Sequence, residues 1–369
     1  MQIHPSDLLL KETFQDPASR HERLRDHLGG CSRCRKRLRD LLSAYWAGKP
    51  PDYDLVLNRS LAFLQRWQRM LTRERAEAPG LLTALLDHPV ERQKLLLRNH
   101  PRFQTWGLFE HLLWHSLERV FVGAAESEDL ARLALFLADH LDTAIYGSER
   151  IENLRARAWA YIGNSRRVRN DLVEADKAFE TAFLHLRRGT EDLAERAALL
   201  ELKASLRRVQ LRFAEALRLL QRAVAVFLEA GDSHSAGRSM IKIETVYYRQ
   251  GEPEKAILWV TQAIALIEPS REPRTLLCAW HNRIDDLAAA GRFMEAQGLL
   301  AKAHPLYRRF PEPSIQSRLK WVEGKISCGL GRYREARTLL RAAREQFFAA
   351  NLPQYAALVS SEIRALPAR

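Results

Sequence analysis

Apolar residues recur at three- and four-residue spacings along nearly the whole chain. That spacing puts them on one face of an α-helix and predicts helix throughout. β-Branched alternation never persists, so no strand is expected. The 17 glycines and 15 prolines cluster between the periodic runs. The chain therefore reads as all-α. "AGKPPDYD" (47–54) is expected to be a hinge, because two prolines cannot continue a helix. Further helix breaks are expected at "APG" (78–80) and "DHP" (87–89).

The pattern also repeats on a longer scale. "NDLVEADKAFETA", "LRFAEALRLLQRA", "GEPEKAILWVTQA", "GRFMEAQGLLAKA" and "GRYREARTLLRAA" align on Ala175, Ala216, Ala256, Ala296 and Ala336. The step between copies is about 40 residues, a length typical of helical repeats. Two helical turns further on come Ala182, Ala223, Ala263, Ala303 and Ala343, with Phe179, Leu220, Val260, Leu300 and Leu340 in between. Gly251, Gly291 and Gly331 keep the same step. Small alanines let two helices approach, the large residue fills the space beside them, and glycine closes the first helix. One such hairpin cannot bury its apolar face, so neighbours must stack into an α-solenoid.

These residues resemble the tetratricopeptide repeat family. The best copy is "ARAWAYIGNSRRVRNDLVEADKAFETAF", with Trp159, Gly163, Ala175, Phe179 and Ala182 at the family's offsets. Trp280 and Gly324 recur at corresponding places in repeats four and five. The period exceeds the family's usual length of about 34 residues, which implies longer helices or connections. Five repeats span 151–350, and 351–369 closes them with a helix. Residues 55–150 are a helical connecting region. Within it, Ala134 falls one repeat step before Ala175 and marks an eroded hairpin over 101–142. Trp106 and Trp114 are expected as core anchors, and Cys278 and Cys328 as core or groove lining.

The resemblance implies that the first helix of each hairpin lines a binding groove. Groove-facing candidates are then Arg157, Asn164, Arg167, Arg208, Arg238, Arg249, Arg318 and Lys325. The set is basic, and guanidinium forks suit carboxylates. An acidic peptide is the expected occupant. Arginines lying over apolar neighbours are the alternative.

Charge adds to this picture. The chain carries 58 basic and 45 acidic residues, a net of +13. Such a surface favours encounters with acidic partners. No apolar run reaches the length of a membrane span, and the N-terminus lacks the pattern of a secretory signal. Few cysteines in a long chain suit a reducing cytoplasm. No nucleophile elbow, phosphate loop or metal-hydrolase motif is present, so no enzyme and no small-molecule substrate are expected.

One stretch carries chemistry of its own. "HLGGCSRC" places His27, Cys31 and Cys34 in an H-x3-C-x2-C spacing between a helix expected over 18–28 and another starting in "RKRLRDLL". Cysteine and histidine at such spacing suit a structural zinc ion. A thioredoxin-like strand is missing, and Arg35 stands where a haem motif needs histidine. Residues 1–46, ahead of the 47–54 linker, resemble the zinc-binding anti-sigma fold. That resemblance implies His4 as the fourth ligand, with His21 its rival, and a sigma factor as partner. Beside this reading stand two others. "CSRCRKRLR", with five basic residues in nine, suits nucleic acid, and the cysteine pair suits a thiol switch.

Overall fold

The computed structural model describes residue 28 and residues 31–46, 53–190 and 192–367. They form two compact units, residues 1–210 and 211–369. Every regular element among the described residues is helical.

The first unit holds α1 (Ser32–Trp46), α2 (Tyr53–Leu86), α3 (Val90–Asn99), α4 (Trp106–Arg119), α5 (Ala124–Ala138), α6 (Ser148–Val168), α7 (Leu172–Arg188) and α8 (Leu193–Val209). Its core joins Leu81, Leu85, Leu108, Phe109, Leu112, Leu137 and Ile151, all 2% exposed or less. Within 101–142, α4 and α5 pack on one another, and Ala134 is fully buried. Buried aliphatic and aromatic side chains contribute about 1.5–3 kcal/mol each, so this apolar layer dominates the unit's stability.

The second unit holds α9 (Phe213–Glu229), α10 (Ser233–Arg249), α11 (Pro253–Leu266), α12 (Pro273–Ala289), α13 (Phe293–Arg308), α14 (Pro313–Gly329), α15 (Tyr333–Ala349) and α16 (Pro353–Ala365). Here α10–α11, α12–α13 and α14–α15 are successive hairpins, and α16 packs on the last.

The repeat pattern maps directly onto burial. Ala175, Ala216, Ala256, Ala296 and Ala336 are 0% exposed, and the large residues between the alanine pairs are at most 6% exposed. Gly163 shows why the pattern is strict, because a Cβ there would lie 3.1 Å from the Phe179 ring and 3.2 Å from the Ala175 carbonyl.

The hairpin turns share one conformation. Gly251, Gly291 and Gly331 have φ of 73°, 76° and 77°. In these three turns the next residue's N–H donates back across the helix end, as in Arg332 to the Ser327 carbonyl at 2.8 Å. This is the left-handed closure that glycine favours. Asn170 and Leu211 occupy the equivalent turns with φ of 64° and 59°. Asparagine tolerates this region, whereas leucine is strained there.

Two expectations fail. The chain does not break at 78–80, because α2 runs through Pro79. Ala78, Leu81, Leu82 and Leu85 are all buried there, and tertiary packing overrides proline's local preference. α4 reinforces that stretch, since Gly107 lies so close to α2 that a Cβ would come 2.4 Å from the Glu74 backbone. Trp114 is 49% exposed rather than a core anchor, while Trp106 packs edge-on to Trp67 at 6.2 Å. The break at 87–89 is present between α2 and α3. Of the expected hinge, residues 47–52 lie outside the described residues, and α2 already begins at Tyr53.

Candidate functional site

The second unit contains a cavity of about 500 Å³. Its walls come from α10, α12, α14 and α16, the first helix of each hairpin and the closing helix. The constant repeat step explains why one helix face builds it: Thr245, Asp285 and Lys325 line it in register, as do Asn282, Val322 and Glu362. A second, more apolar cavity of about 390 Å³ shares Tyr248, Asp285, Lys325 and Glu362 with the first. Phe293, Cys328, Leu340 and Leu366 complete its walls.

The polar groups between the two cavities are ordered. Lys325 donates to both oxygens of Asp285 at 2.8 and 3.2 Å and lies 4.5 Å from the centre of the Trp321 ring. Trp321 Nε1 donates to Glu362 at 2.8 Å. Burial opposes the charge on Lys325, but Asp285, Tyr248 and Glu362 together outweigh that and raise its pKa. Burial pushes the Tyr248 phenol up to about 12. Arg318 lies over the Tyr355 ring at 4.8 Å. His281 shares a 2.7 Å hydrogen bond with the Tyr307 hydroxyl, and burial lowers its pKa to about 4, so it is neutral at pH 7.

Deeper in the same cavity lie two carboxyl groups. Glu244 accepts from Asn282 Nδ2 at 2.7 Å and from Thr245 Oγ1 at 3.2 Å. Asp286 is 0% exposed, and its carboxyl is hydrogen-bonded to that of Glu244. Burial, with Glu244 and Asp285 nearby, pushes Asp286 up to about 9, and burial pushes Glu244 up to about 7. At neutral pH the pair therefore retains a proton.

The sequence candidates fall into two groups. In the second unit, Arg249, Arg318 and Lys325 line the cavity together. Arg238 does not; it pairs with Glu272 at 3.1 Å. In the first unit, Arg157 forms a two-pronged ion pair with Glu195 of the next hairpin. Asn164 is buried and accepts two hydrogen bonds from Arg167, at 3.1 and 2.8 Å. Burial and the neighbouring Arg208 lower Arg167 to about 10. The expected excess of cations is thus offset locally, since Glu244, Asp285, Asp286 and Glu362 stand beside the three cavity cations. Counting basic residues missed these acids. The available signal was Asp285 lying one repeat step before Lys325, which sets opposite charges on neighbouring first helices.

At the head, α1 starts from Cys31, whose carbonyl accepts the Arg35 N–H at 3.0 Å. Cys34 is 0% exposed and its thiol is hydrogen-bonded to that of Cys31. Burial raises the Cys34 pKa. Arg35 ties this end to α6 through Glu149 at 3.2 Å. His4 and His27 lie outside the described residues, as does His21. Among the described residues, no three His, Cys, Asp or Glu gather as a metal site. No described helix is long and apolar enough to cross a membrane.

Comparison with known proteins places this architecture. Residues 195–268 match the family model described as tetratricopeptide repeat. The stacked helix hairpins are arranged like those of tetratricopeptide repeat proteins. BtubC (BKLC) from P. vanneervenii is similar at 16% identity and a TM-score of 0.51, over 64% of this chain and 92% of that one. A Rap protein in complex with Competence and Sporulation Factor is similar at 15% identity and a TM-score of 0.51, over 69% and 70%. Aspartyl phosphate phosphatase F from Bacillus subtilis is similar at 13% identity and a TM-score of 0.51, over 99% and 95%. At these identities the likeness is one of fold. No curated protein matches the chain.

Proposed function

We propose that the protein is a non-enzymatic regulatory adaptor that binds an extended peptide segment of a partner protein in the second unit. The observation that carries this reading is the pair of adjoining cavities, one polar and one apolar, lined by the first helices of successive hairpins. Their volumes, about 500 and 390 Å³, suit a few side chains of a short segment. Trp321, Tyr355 and Tyr248 supply flat apolar walls, and Lys325, Asp285 and Glu362 supply directional polar contacts. The similar Rap protein in complex with Competence and Sporulation Factor supports the same direction. The test is fluorescence anisotropy of labelled hexapeptide pools titrated with the full chain. Saturable binding that is lost in Trp321→Ala and kept in Arg292→Ala, an outer-surface control, is the expected result. Absence of binding by every pool would discard the reading.

A second reading concerns the head. Hydrogen-bonded thiols of Cys31 and Cys34 at a helix start support a chelating pair. Cys31 and Cys34, with His27 and His4, would hold a structural zinc ion, which when bound cross-links the head. The anti-sigma resemblance extends this to sequestration of a sigma factor. Zinc content, compared between the native chain, Cys31→Ser and His4→Ala, checks the ligand set. Undiminished zinc in His4→Ala would remove that ligand.

A further inference from the structure

We propose that the apolar cavity of the second unit is an anchor pocket that takes one aromatic side chain of the bound peptide. The inference rests on the peptide-binding reading above and names the side chain that reading leaves open.

The cavity exists because residue size changes along the repeat. The last two residues of α10 are Tyr248 and Arg249. One repeat step on, α12 ends in Ala288 and Ala289, and a further step on, α14 ends in Cys328 and Gly329. All four of these smaller residues line the cavity. Two bulky side chains thus give way to small ones in both following hairpins, and about 390 Å³ opens beside them. One wall is fixed by close approach. The Phe293 ring lies on the Gly329 backbone, where a Cβ would come 2.2 Å from it. Leu340 and Leu366, 1% and 8% exposed, add further apolar surface.

The lining selects the occupant. The charged groups along it are already engaged: Lys325 donates to Asp285, and Glu362 accepts from Trp321. A charged side chain would have to break these contacts or enter without a partner, and burying an unpaired charge is costly. An apolar side chain leaves them intact. Size narrows the choice further. An apolar cavity of about 150 Å³ already takes up benzene, so this larger one admits an aromatic ring. Tyr248 and Phe293 offer it aromatic surfaces and Cys328 a sulfur, and these favour an aromatic partner over an aliphatic one. The polar cavity next door, which shares Tyr248, Asp285, Lys325 and Glu362, is then left for the flanking residues. The basic groove candidates pointed to an acidic peptide, whereas this pocket selects by size and apolarity.

The experiment uses four hexapeptide pools alike except at one fixed central residue: phenylalanine, leucine, alanine or lysine. Anisotropy with the full chain is expected to show the phenylalanine pool binding about 10- to 100-fold tighter than the alanine pool, as for burial of one large apolar side chain. Leucine should fall between them, and lysine should gain nothing over alanine. Ala289→Leu and Ala365→Leu fill the cavity from two exposed helix ends. Each should bring the phenylalanine pool down toward the alanine pool. A direct readout is alkylation of Cys328 by iodoacetamide, followed by mass spectrometry. The phenylalanine pool should protect this thiol, and the alanine pool at equal occupancy should not. Equal affinity of the phenylalanine and alanine pools would overturn the anchor pocket and leave peptide binding standing. So would Cys328 alkylated as fast in the phenylalanine complex as in the free chain. Tighter binding of the leucine or lysine pool than of phenylalanine would overturn it as well. Failure of all four pools would remove the peptide reading and this inference together.

Discussion

Glu128 in the first unit and Asp286 in the second are both buried acids on helices of similar hairpins, 5% and 0% exposed. Their surroundings differ completely. Glu128 accepts from Arg132 at 2.7 Å, from Arg166 at 3.0 Å and from Arg169 at 3.0 Å. Burial works against its charge, but the hydrogen bonds and charges of Arg132 and Arg166 together outweigh burial and lower its pKa. Asp286 has acids beside it instead, and its pKa rises to about 9. The first acid is a satisfied staple between α5 and α6. The second keeps a proton and is hydrogen-bonded to Glu244. Two buried acids thus differ in charge state because one meets cations and the other meets acids.

Three measurements would break or sharpen this contrast. The largest effect is expected from Glu128→Leu, which leaves three arginines without their acceptor. Arg166 is only 15% exposed and cannot turn freely to water. Loss of about 3 kcal/mol is expected, at the lower end for breaking a buried pair, measured by urea denaturation. An unchanged midpoint would show that Glu128 is no staple.

The next effect is a pH dependence of opposite sign in the two units. Asp286 and Glu244 have folded pKa values above their unfolded ones, so the folded state binds more protons. The stability they contribute is complete in acid and is lost as pH rises through about 7 and about 9. Glu128 has a lowered folded pKa, so its contribution is present above the ordinary carboxylate range and lost in acid. Site-resolved hydrogen exchange, corrected for intrinsic rates, should show α10 and α12 losing protection toward alkaline pH while α5 and α6 do not. Asp286→Asn should flatten the slope of α12 and change stability little at neutral pH. Equal slopes in both units would dissolve the contrast.

The smallest effect belongs to Arg132→Ala. Its side chain is 48% exposed, so solvent screens its share of the cluster. A loss of at most about 0.5 kcal/mol is expected in the same denaturation assay. A loss as large as that of Glu128→Leu would mean that the network acts as one indivisible unit.

The repeat was legible because its physics is local. Ala175 and its four successors, two helical turns ahead of the second alanine series, are all buried where the spacing put them. The glycines at 251, 291 and 331 adopt the left-handed turn they were read for. Proline at 79 misled, because the break it favours is outweighed by Leu81, Leu82 and Leu85 in the core. Trp114 misled in the other direction, since apolar character alone does not say which face of α4 is covered. The cavity was half legible. Arg249, Arg318 and Lys325 were named, but Glu244 and Asp286 were not. Acids are common in helical repeats, and only the neighbours of each reveal whether it is solvated, paired with a cation or protonated.

By itself, then, the chain determined its helices, the length of its repeat and the side of each hairpin that must be buried. Those follow from spacing, size and backbone freedom, which any short window displays. Tertiary structure alone decided which cations meet carboxylates and which acid keeps a proton. Electrostatic partnership depends on residues a whole repeat apart being brought to a few ångströms, and on how much water is excluded when they meet.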